Sequence, residues 1–175
     1  MNALHRLLMD PASRRRLRRA ALEATLVLAL LLGVHAYTLR GTASGAAPPL
    51  AGRDLDGHRV SLDDSPGQAV AVHFWATWCA VCTAESGNVA SFARSARVIT
   101  VATSSGDAAA VKAKMESDGI SFPVVVDADG AIAAAWGVTR FPTTFFLGRD
   151  RRVRAVESGY TTGLGLRARL LWAGL

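Results

Sequence analysis

A run of eight residues, 69–76 (AVAVHFWA), contains a single polar side chain, His73. An apolar run of this length is typical of a strand that is buried on both faces, at the centre of a parallel or mixed sheet. Such a strand needs helices packed on both sides of its sheet, so the run predicts a layered α/β domain.

The segments after this run alternate between strand and helix patterns. Apolar, β-branched stretches predict strands, and helix-period stretches with caps or glycine stops predict helices. The predicted strands are 97–103, 122–126, 143–147 and 153–156, and the predicted helices are 79–94, 107–118, 131–136 and 163–172. Asp56-Gly57 predicts a hairpin turn within residues 55–62, and Ser104 or Ser105 is the expected cap of helix 107–118. The order predicts an α/β fold with a central mixed sheet flanked by helices.

The positive charge of the chain is concentrated at its N-terminus. The net charge is +6, and the arm formed by residues 1–19 holds six arginines against one acid, Asp10. These arginines are Arg6, Arg14, Arg15, Arg16, Arg18 and Arg19. From Arg40 onward there are 14 basic and 12 acidic side chains, which leaves a net charge of only +2. The domain after the arm is therefore not expected to bind nucleic acid.

Residues 20–39 follow the arginines and contain only two ionisable side chains, Glu23 and His35. Twenty helical residues span about 30 Å, roughly the hydrocarbon thickness of a bilayer. The flanking arginines predict that the N-terminal side stays in the cytoplasm and that the rest is exported. We expect a retained membrane anchor; a cleaved signal peptide and a buried soluble helix are the alternatives. Residues 40–49 are expected to form a linker, and residues 50–175 the folded domain.

Cys79 and Cys82 are the only cysteines of the chain. Their spacing at the start of a predicted helix places both sulfurs on one turn, where free N–H groups and the helix dipole stabilise a thiolate at Cys79. Only a thiolate attacks disulfides, so Cys79 is the expected nucleophile and Cys82 the resolving thiol. An inert staple is one alternative, although so short a loop contributes only about 2 kcal/mol. Copper(I) binding by the two thiols is another.

The segment 75–82 (WATWCAVC) after an apolar strand resembles the thioredoxin superfamily. Further similar segments are 122–127 (FPVVVD), 135–138 (AWGV), 142–145 (PTTF) and 159–162 (GYTT). The motif is similar to that of the exported TlpA/DsbE/ResA-like thiol-disulfide oxidoreductases. Within them, the chain most resembles the membrane-anchored protein disulfide oxidoreductases related to the suppressor of copper sensitivity protein D. The resemblance covers about residues 46–173.

The resemblance implies roles for individual side chains. Cys79 matches the attacking thiol and Cys82 the resolving thiol. Glu85 matches an acid three residues after the second cysteine, where a carboxylate beside the thiol can shuttle its proton; a solvated surface glutamate is the alternative. Pro142 matches a cis-proline that faces the disulfide and seats an extended substrate; a trans proline at the start of a strand is the alternative.

Other positions depart from the family pattern or border the motif. Ala80 stands where many relatives have proline, and Phe141 stands where threonine or valine is usual. Phe141 is expected to form one wall of the substrate groove, and Trp78 to contact partners. His73 takes the place of a buried acid and is either a proton relay or a hydrogen-bonded core histidine.

Taken as a member of this family, the chain is expected to be a membrane-anchored periplasmic enzyme that reduces protein disulfides. The resemblance implies a protein electron donor in the membrane. We also expect a single-pass position in the inner membrane, a monomer, and no cofactor or metal. A copper(I)-handling module that uses the same cysteines is the alternative function.

Overall fold

The structure is a computed structural model that describes residues 11–175. The chain divides into two compact units, one ending at Arg40 and one spanning Gly41–Leu175. In the first unit, helix α1 (Pro11–Thr38) starts nine residues before the predicted apolar stretch and carries five arginines of the arm. The sixth, Arg6, and the acid Asp10 lie outside the described residues.

Helix α1 is apolar over most of its length. Among the described residues, Ser13–Thr38 is the one helical segment long and apolar enough to cross a membrane, with a mean hydropathy of 1.7. A signal sequence near the N-terminus passes the same test. Its large apolar side chains, such as Leu26 and Leu30, are exposed.

The second unit is the predicted α/β domain. Two short strands, β1 (Ala51–Arg53) and β2 (Arg59–Ser61), form an antiparallel hairpin, followed by a 3₁₀ turn at Leu62–Asp64. The remaining elements are β3 (Val70–Trp75), α2 (Ala80–Ala93), β4 (Val98–Thr103), α3 (Ala108–Ser117), β5 (Val124–Asp127), α4 (Ala131–Ala135), β6 (Thr143–Leu147), β7 (Val153–Ser158) and α5 (Gly163–Ala173). The five longer strands form one mixed sheet in the order β5-β4-β3-β6-β7, which confirms the predicted architecture.

Strand β3 lies at the centre of this sheet, and all six of its residues are buried. It runs parallel to β4 and antiparallel to β6, so His73 lies between Thr100 and Thr144. Successive side chains point to opposite faces: Trp75 joins one hydrophobic cluster and Phe74 the other. The prediction of a strand buried on both faces is confirmed. The buried hydrophobic residues of the described chain all lie between Leu50 and Ala173, so the second unit contains a complete core and can fold without the first.

Two local predictions were wrong. The first hairpin strand lies before the predicted 55–62 and the second lies within it, because the Asp54 carboxylate accepts the N–H groups of Asp56 and His58 and thereby closes a longer turn. Helix α3 is capped by Asp107, whose carboxylate accepts the N–H of Ala110, and not by Ser104 or Ser105.

Most of the predicted linker, 40–49, belongs to the second unit, and part of it is packed on the α/β domain. The Ala43 N–H donates to the Trp136 carbonyl, and the Ala47 N–H donates to the Arg151 carbonyl, each at 2.9 Å. Both alanine side chains also pack against the hydrophobic cluster that contains Trp136. The small side chains of this stretch thus allow close backbone contact with the domain.

Candidate active site

The connection from β3 to α2 places Cys79 at the N-cap of α2. Its backbone is extended (φ −90°, ψ 106°), and its sulfur accepts the backbone N–H of Cys82 at 3.1 Å. The side chain thus lies among the N–H groups at the start of the helix, which stabilise negative charge. Cys79 and Cys82 are joined by a disulfide, with their Cα atoms 5.2 Å apart. The predicted placement of both sulfurs on one helical turn is confirmed.

The two cysteines are almost equally buried. Cys79 is 8% exposed and Cys82 is 5% exposed, and both belong to the hydrophobic cluster that includes Trp75. The position at the start of a helix therefore does not leave the Cys79 sulfur exposed. Packing against neighbouring apolar side chains, and not the helix position alone, determines how much of this sulfur meets water.

Two aromatic rings meet beside this connection. Trp78 is 64% exposed, and its indole N–H donates to the Ser104 carbonyl at 3.0 Å. The Phe141 ring packs edge-on against it with 5.6 Å between ring centroids. Phe141 is only partly buried and also contacts both hydrophobic clusters. The pair forms an apolar surface next to the segment that carries Cys79.

The Phe141–Pro142 peptide bond is cis, as predicted, and the trans alternative is excluded. Pro142 is buried and comes directly before β6, which pairs with β3 so that Thr143 lies opposite Phe74. Pro142 therefore lies at the end of the sheet where β3 leads into the Cys79 segment. Its carbonyl oxygen accepts the N–H of Gly159 at 2.8 Å.

Glu85 is completely buried on α2, one turn after Cys82, so the alternative of a solvated surface glutamate was wrong. Its Oε1 accepts the Thr161 N–H at 3.3 Å, whereas its Oε2 has no hydrogen-bond partner within residues 11–175. Burial raises the pKa of Glu85 from 4.5 to about 7, with a smaller contribution in the same direction from the charge of Glu157. The carboxyl group can therefore gain and lose a proton near neutral pH.

His73 is a hydrogen-bonded core histidine. Its Nδ1 lies 2.9 Å from the hydroxyl of Thr144, and burial lowers the pKa of the imidazole from 6.5 to about 4. His73 and Cys82 line the same small cavity of about 10 Å³. The neutral imidazole thus lies near the second thiol, but a role in proton relay stays a prediction.

Sequence reasoning missed two residues that shape the site. Ser105 accepts the Thr77 N–H at 3.0 Å and so fixes the connection before Cys79. Thr161 donates a hydrogen bond to the Glu85 carboxylate. Ser105 lies far from Thr77 in the sequence, and Thr161 lies far from Glu85. The only sequence signal was the resemblance of the segment 159–162, which contains Thr161.

Two acidic turns are accounted for by hydrogen bonds within the chain. The Asp127 carboxylate accepts N–H groups at the start of α4 and the hydroxyl of Thr103, and these bonds fix the turn at the end of β5. Asp54, Asp56 and His58 bring their ligand atoms within 4.8 Å of one another, a cluster that sequence reasoning did not single out. The spacing of these three residues in the sequence could have indicated the cluster. The Asp54 carboxylate, however, already accepts backbone N–H groups of its own turn.

Comparison with known proteins gives a consistent result. The AhpC/TSA family matches residues 44–156. The thiol-disulfide oxidoreductase ResA of Bacillus subtilis (strain 168) is 36% identical over 120 residues, which cover 66% of this chain and 67% of that protein. A thioredoxin-like protein of Haemophilus influenzae is 31% identical over 123 residues, covering 69% of this chain and 73% of that protein.

Solved structures share the fold. The crystal structure of a thiol:disulfide interchange protein of the thioredoxin family from Chlorobium tepidum TLS superposes with a TM-score of 0.64 at 25% identity. The match covers 75% of this chain and 97% of that structure. The chain belongs to the AhpC/TSA family and is a thiol-disulfide oxidoreductase with a thioredoxin-like fold.

Proposed function

We propose that the protein reduces protein disulfides, with Cys79 as the nucleophile and Cys82 as the resolving thiol. The observation that carries this assignment is the position of the Cys79 sulfur at the N-cap of α2, where it accepts the Cys82 N–H. A thiolate at this position is stabilised by the helix N-terminus. Cys82 lies one turn inside the helix and lacks that advantage.

The two cysteines and the substrate disulfide account for all the electrons and bonds that are exchanged in the reaction. The Cys79 thiolate attacks one sulfur of a substrate disulfide, which forms a mixed disulfide and releases the other substrate sulfur as a thiolate. Cys82 then loses its proton and attacks the Cys79 sulfur, and the second substrate thiol leaves. The substrate has gained two electrons, and the Cys79–Cys82 disulfide must be reduced again by a dithiol protein.

Glu85 is the proposed proton acceptor for Cys82. Both side chains project from neighbouring turns of α2, and the pKa of Glu85, raised to about 7, allows proton exchange at neutral pH. The unpartnered Oε2 leaves one carboxylate oxygen free to take the proton.

The substrate groove is proposed to run along Phe141, Pro142 and Trp78. Among the described residues, no hydrogen bond uses the backbone of Phe141, so its N–H and C=O can pair with an extended substrate segment. Trp78 and Phe141 offer apolar contact beside that backbone. This arrangement favours an unfolded or extended protein segment as the substrate.

Non-reducing gels of two variants test the assignment. Cys82→Ser should trap mixed disulfides with substrate proteins, because the first attack still occurs and the resolving step cannot. Cys79→Ser should lose disulfide reduction and trap nothing. If Cys79→Ser traps partners and Cys82→Ser does not, the roles are reversed.

The location is also part of the proposal. We propose that α1 is a retained single-pass anchor in the inner membrane, that the second unit lies in the periplasm as a monomer, and that a membrane protein donates its electrons. The apolar length of Ser13–Thr38 and the arginines at its N-terminal end support this orientation. A periplasm-active reporter fused after Leu175 should be active, and activity of a cytoplasmic reporter alone would refute the orientation.

A further inference from the structure

We propose that the second unit binds an anionic phospholipid at the membrane surface through a groove at the end of the sheet opposite to the disulfide. The groove has a volume of about 650 Å³ and lies between the ends of α2 and α5 and the residues just before β3. We call it the arginine groove, and the lining residues that matter here are Arg97, Arg149, Arg167, Phe92, Leu170 and Leu171. The inference is independent of the proposed redox chemistry.

Three arginine side chains, Arg97, Arg149 and Arg167, line the arginine groove, and no aspartate or glutamate side chain of the described residues does. Within residues 11–175, none of the three takes part in an ion pair, and Arg167 donates only to the carbonyl oxygens of Gly163 and Ser91 and to the Ser91 hydroxyl. Three guanidinium groups around one groove favour a ligand that carries a phosphate or carboxylate.

One of these arginines has an unsatisfied donor. The Nε of Arg97 is buried and has no hydrogen-bond partner among the described residues. Leaving a buried donor unpaired is unfavourable, so such groups are rare in native proteins. The hydrogen-bonding capacity of the Arg97 guanidinium group is therefore not fully used by the described residues.

The rest of the arginine groove is apolar. Phe92 is 1% exposed and forms part of its floor, and Leu170 is partly buried beside it. Leu171 is 74% exposed, and the exposed ring of Trp172 and the exposed Leu164 lie on the same side of α5 at helical spacing. The apolar surface therefore continues from the groove onto an open face of the helix.

This continuity favours a bilayer over a single small ligand. A free fatty acid in the groove would leave Leu171 and Trp172 in water, whereas a lipid surface covers both. Tryptophan and leucine on one face with flanking arginines are typical of helices that lie in the membrane interface. Anionic headgroups attract such arginines, with about 1 kcal/mol for each one near the surface.

The orientation has a consequence for the disulfide. Gly67, Gln68 and Ala69, which also line the groove, come just before the first residue of β3, and Cys79 follows its last residue. Six strand residues span about 20 Å. A domain held to the bilayer by the arginine groove thus presents Cys79 toward the aqueous compartment.

Vesicle flotation of residues 41–175, the unit with its own core, tests the proposal. Binding of the wild type and of Arg149→Gln/Arg167→Gln is measured with two kinds of phosphatidylcholine vesicle. One kind contains about 30% phosphatidylglycerol, which gives a strong surface charge, and the other contains none. Binding should require phosphatidylglycerol and weaken with salt. The double variant should partition about 30-fold less, the equivalent of two arginines at about 1 kcal/mol each. Leu171→Ser should also weaken binding.

The matched control is Arg53→Gln/Arg59→Gln, which removes the same charge from the β1–β2 hairpin beside β5. It should bind like the wild type, and circular dichroism and disulfide reduction should show that every variant is folded. Equal binding to both kinds of vesicle, or equal losses in test and control variants, would overturn the proposal. So would binding of oleate without binding of vesicles, or a concentration-dependent dimer in sedimentation that Leu171→Ser abolishes.

Discussion

Replacing Glu85 with glutamine isolates the cost of burying an ionisable carboxyl group beside the cysteine pair. Because the pKa rises from 4.5 to about 7 on folding, the folded state keeps the proton after the unfolded chain has lost it. The stabilising contribution is thus fully present below pH 4.5 and is lost as the pH rises to about 7. The shift of 2.5 units, 7 minus 4.5, corresponds to about 3 kcal/mol at 1.36 kcal/mol per unit.

Glutamine cannot ionise, and its carbonyl oxygen can still accept the Thr161 N–H. The free energy of unfolding of Glu85→Gln, minus that of the wild type, should therefore increase by about 1.4 kcal/mol per pH unit between pH 4.5 and 7 and then stay constant. The difference in unfolding free energy between the two proteins isolates the effect of Glu85. The pH dependence of the wild type alone does not, because the titration of His73 changes its stability in the opposite direction.

The pKa of His73 falls from 6.5 to about 4 on folding, so its stabilising contribution is present above pH 6.5 and is lost as the pH falls to about 4. In the wild type the two effects largely cancel between pH 4.5 and 6.5. Urea unfolding of the oxidised second unit at pH 4.5, 5.5, 6.5 and 7.5 (roughly one-unit steps) measures the difference. Glu116→Gln, on an exposed position of α3, is the control and should give a constant difference. A constant difference for Glu85→Gln would refute the burial argument.

Two further predictions concern residues around the disulfide. The free energy of unfolding of His73→Gln, minus that of the wild type, should increase by about 3 kcal/mol as the pH falls from 6.5 to about 4, and a constant difference in urea unfolding would contradict the assigned pKa. Phe141→Thr removes a half-buried ring that packs on Trp78, so we expect a loss of about 2 kcal/mol in unfolding free energy with the fold retained. It should also speed reaction with glutathione relative to a protein thiol in stopped-flow measurements, and equal rate changes for both would show that Phe141 has no part in selection.

The fold could be predicted from the sequence because its central strand carries an unambiguous pattern. Six consecutive buried residues in β3 require both faces of the sheet to be covered, and the alternating segments that follow supply the layers. The cysteine pair could also be placed, because a spacing of three residues at a helix start fixes the positions of both sulfurs. The cap of α3 could not be chosen, since Ser104, Ser105 and Asp107 are all capable caps and Ser105 is used by Thr77 instead.

The local sequence pattern does not predict how deeply the site residues are buried. Helical spacing puts Glu85 on the face of Cys82, but it leaves open whether water or protein covers that face. In the structure protein covers it, and Thr161, 76 residues later, donates a hydrogen bond to the buried carboxylate. Burial raises the pKa of Glu85 into the range that proton transfer at neutral pH requires, and the hydrogen bond from Thr161 acts in the opposite direction. The chemistry of α2 therefore depends on the packing of the chain just before α5, and substitutions there should alter the proton exchange of Glu85 without touching either cysteine.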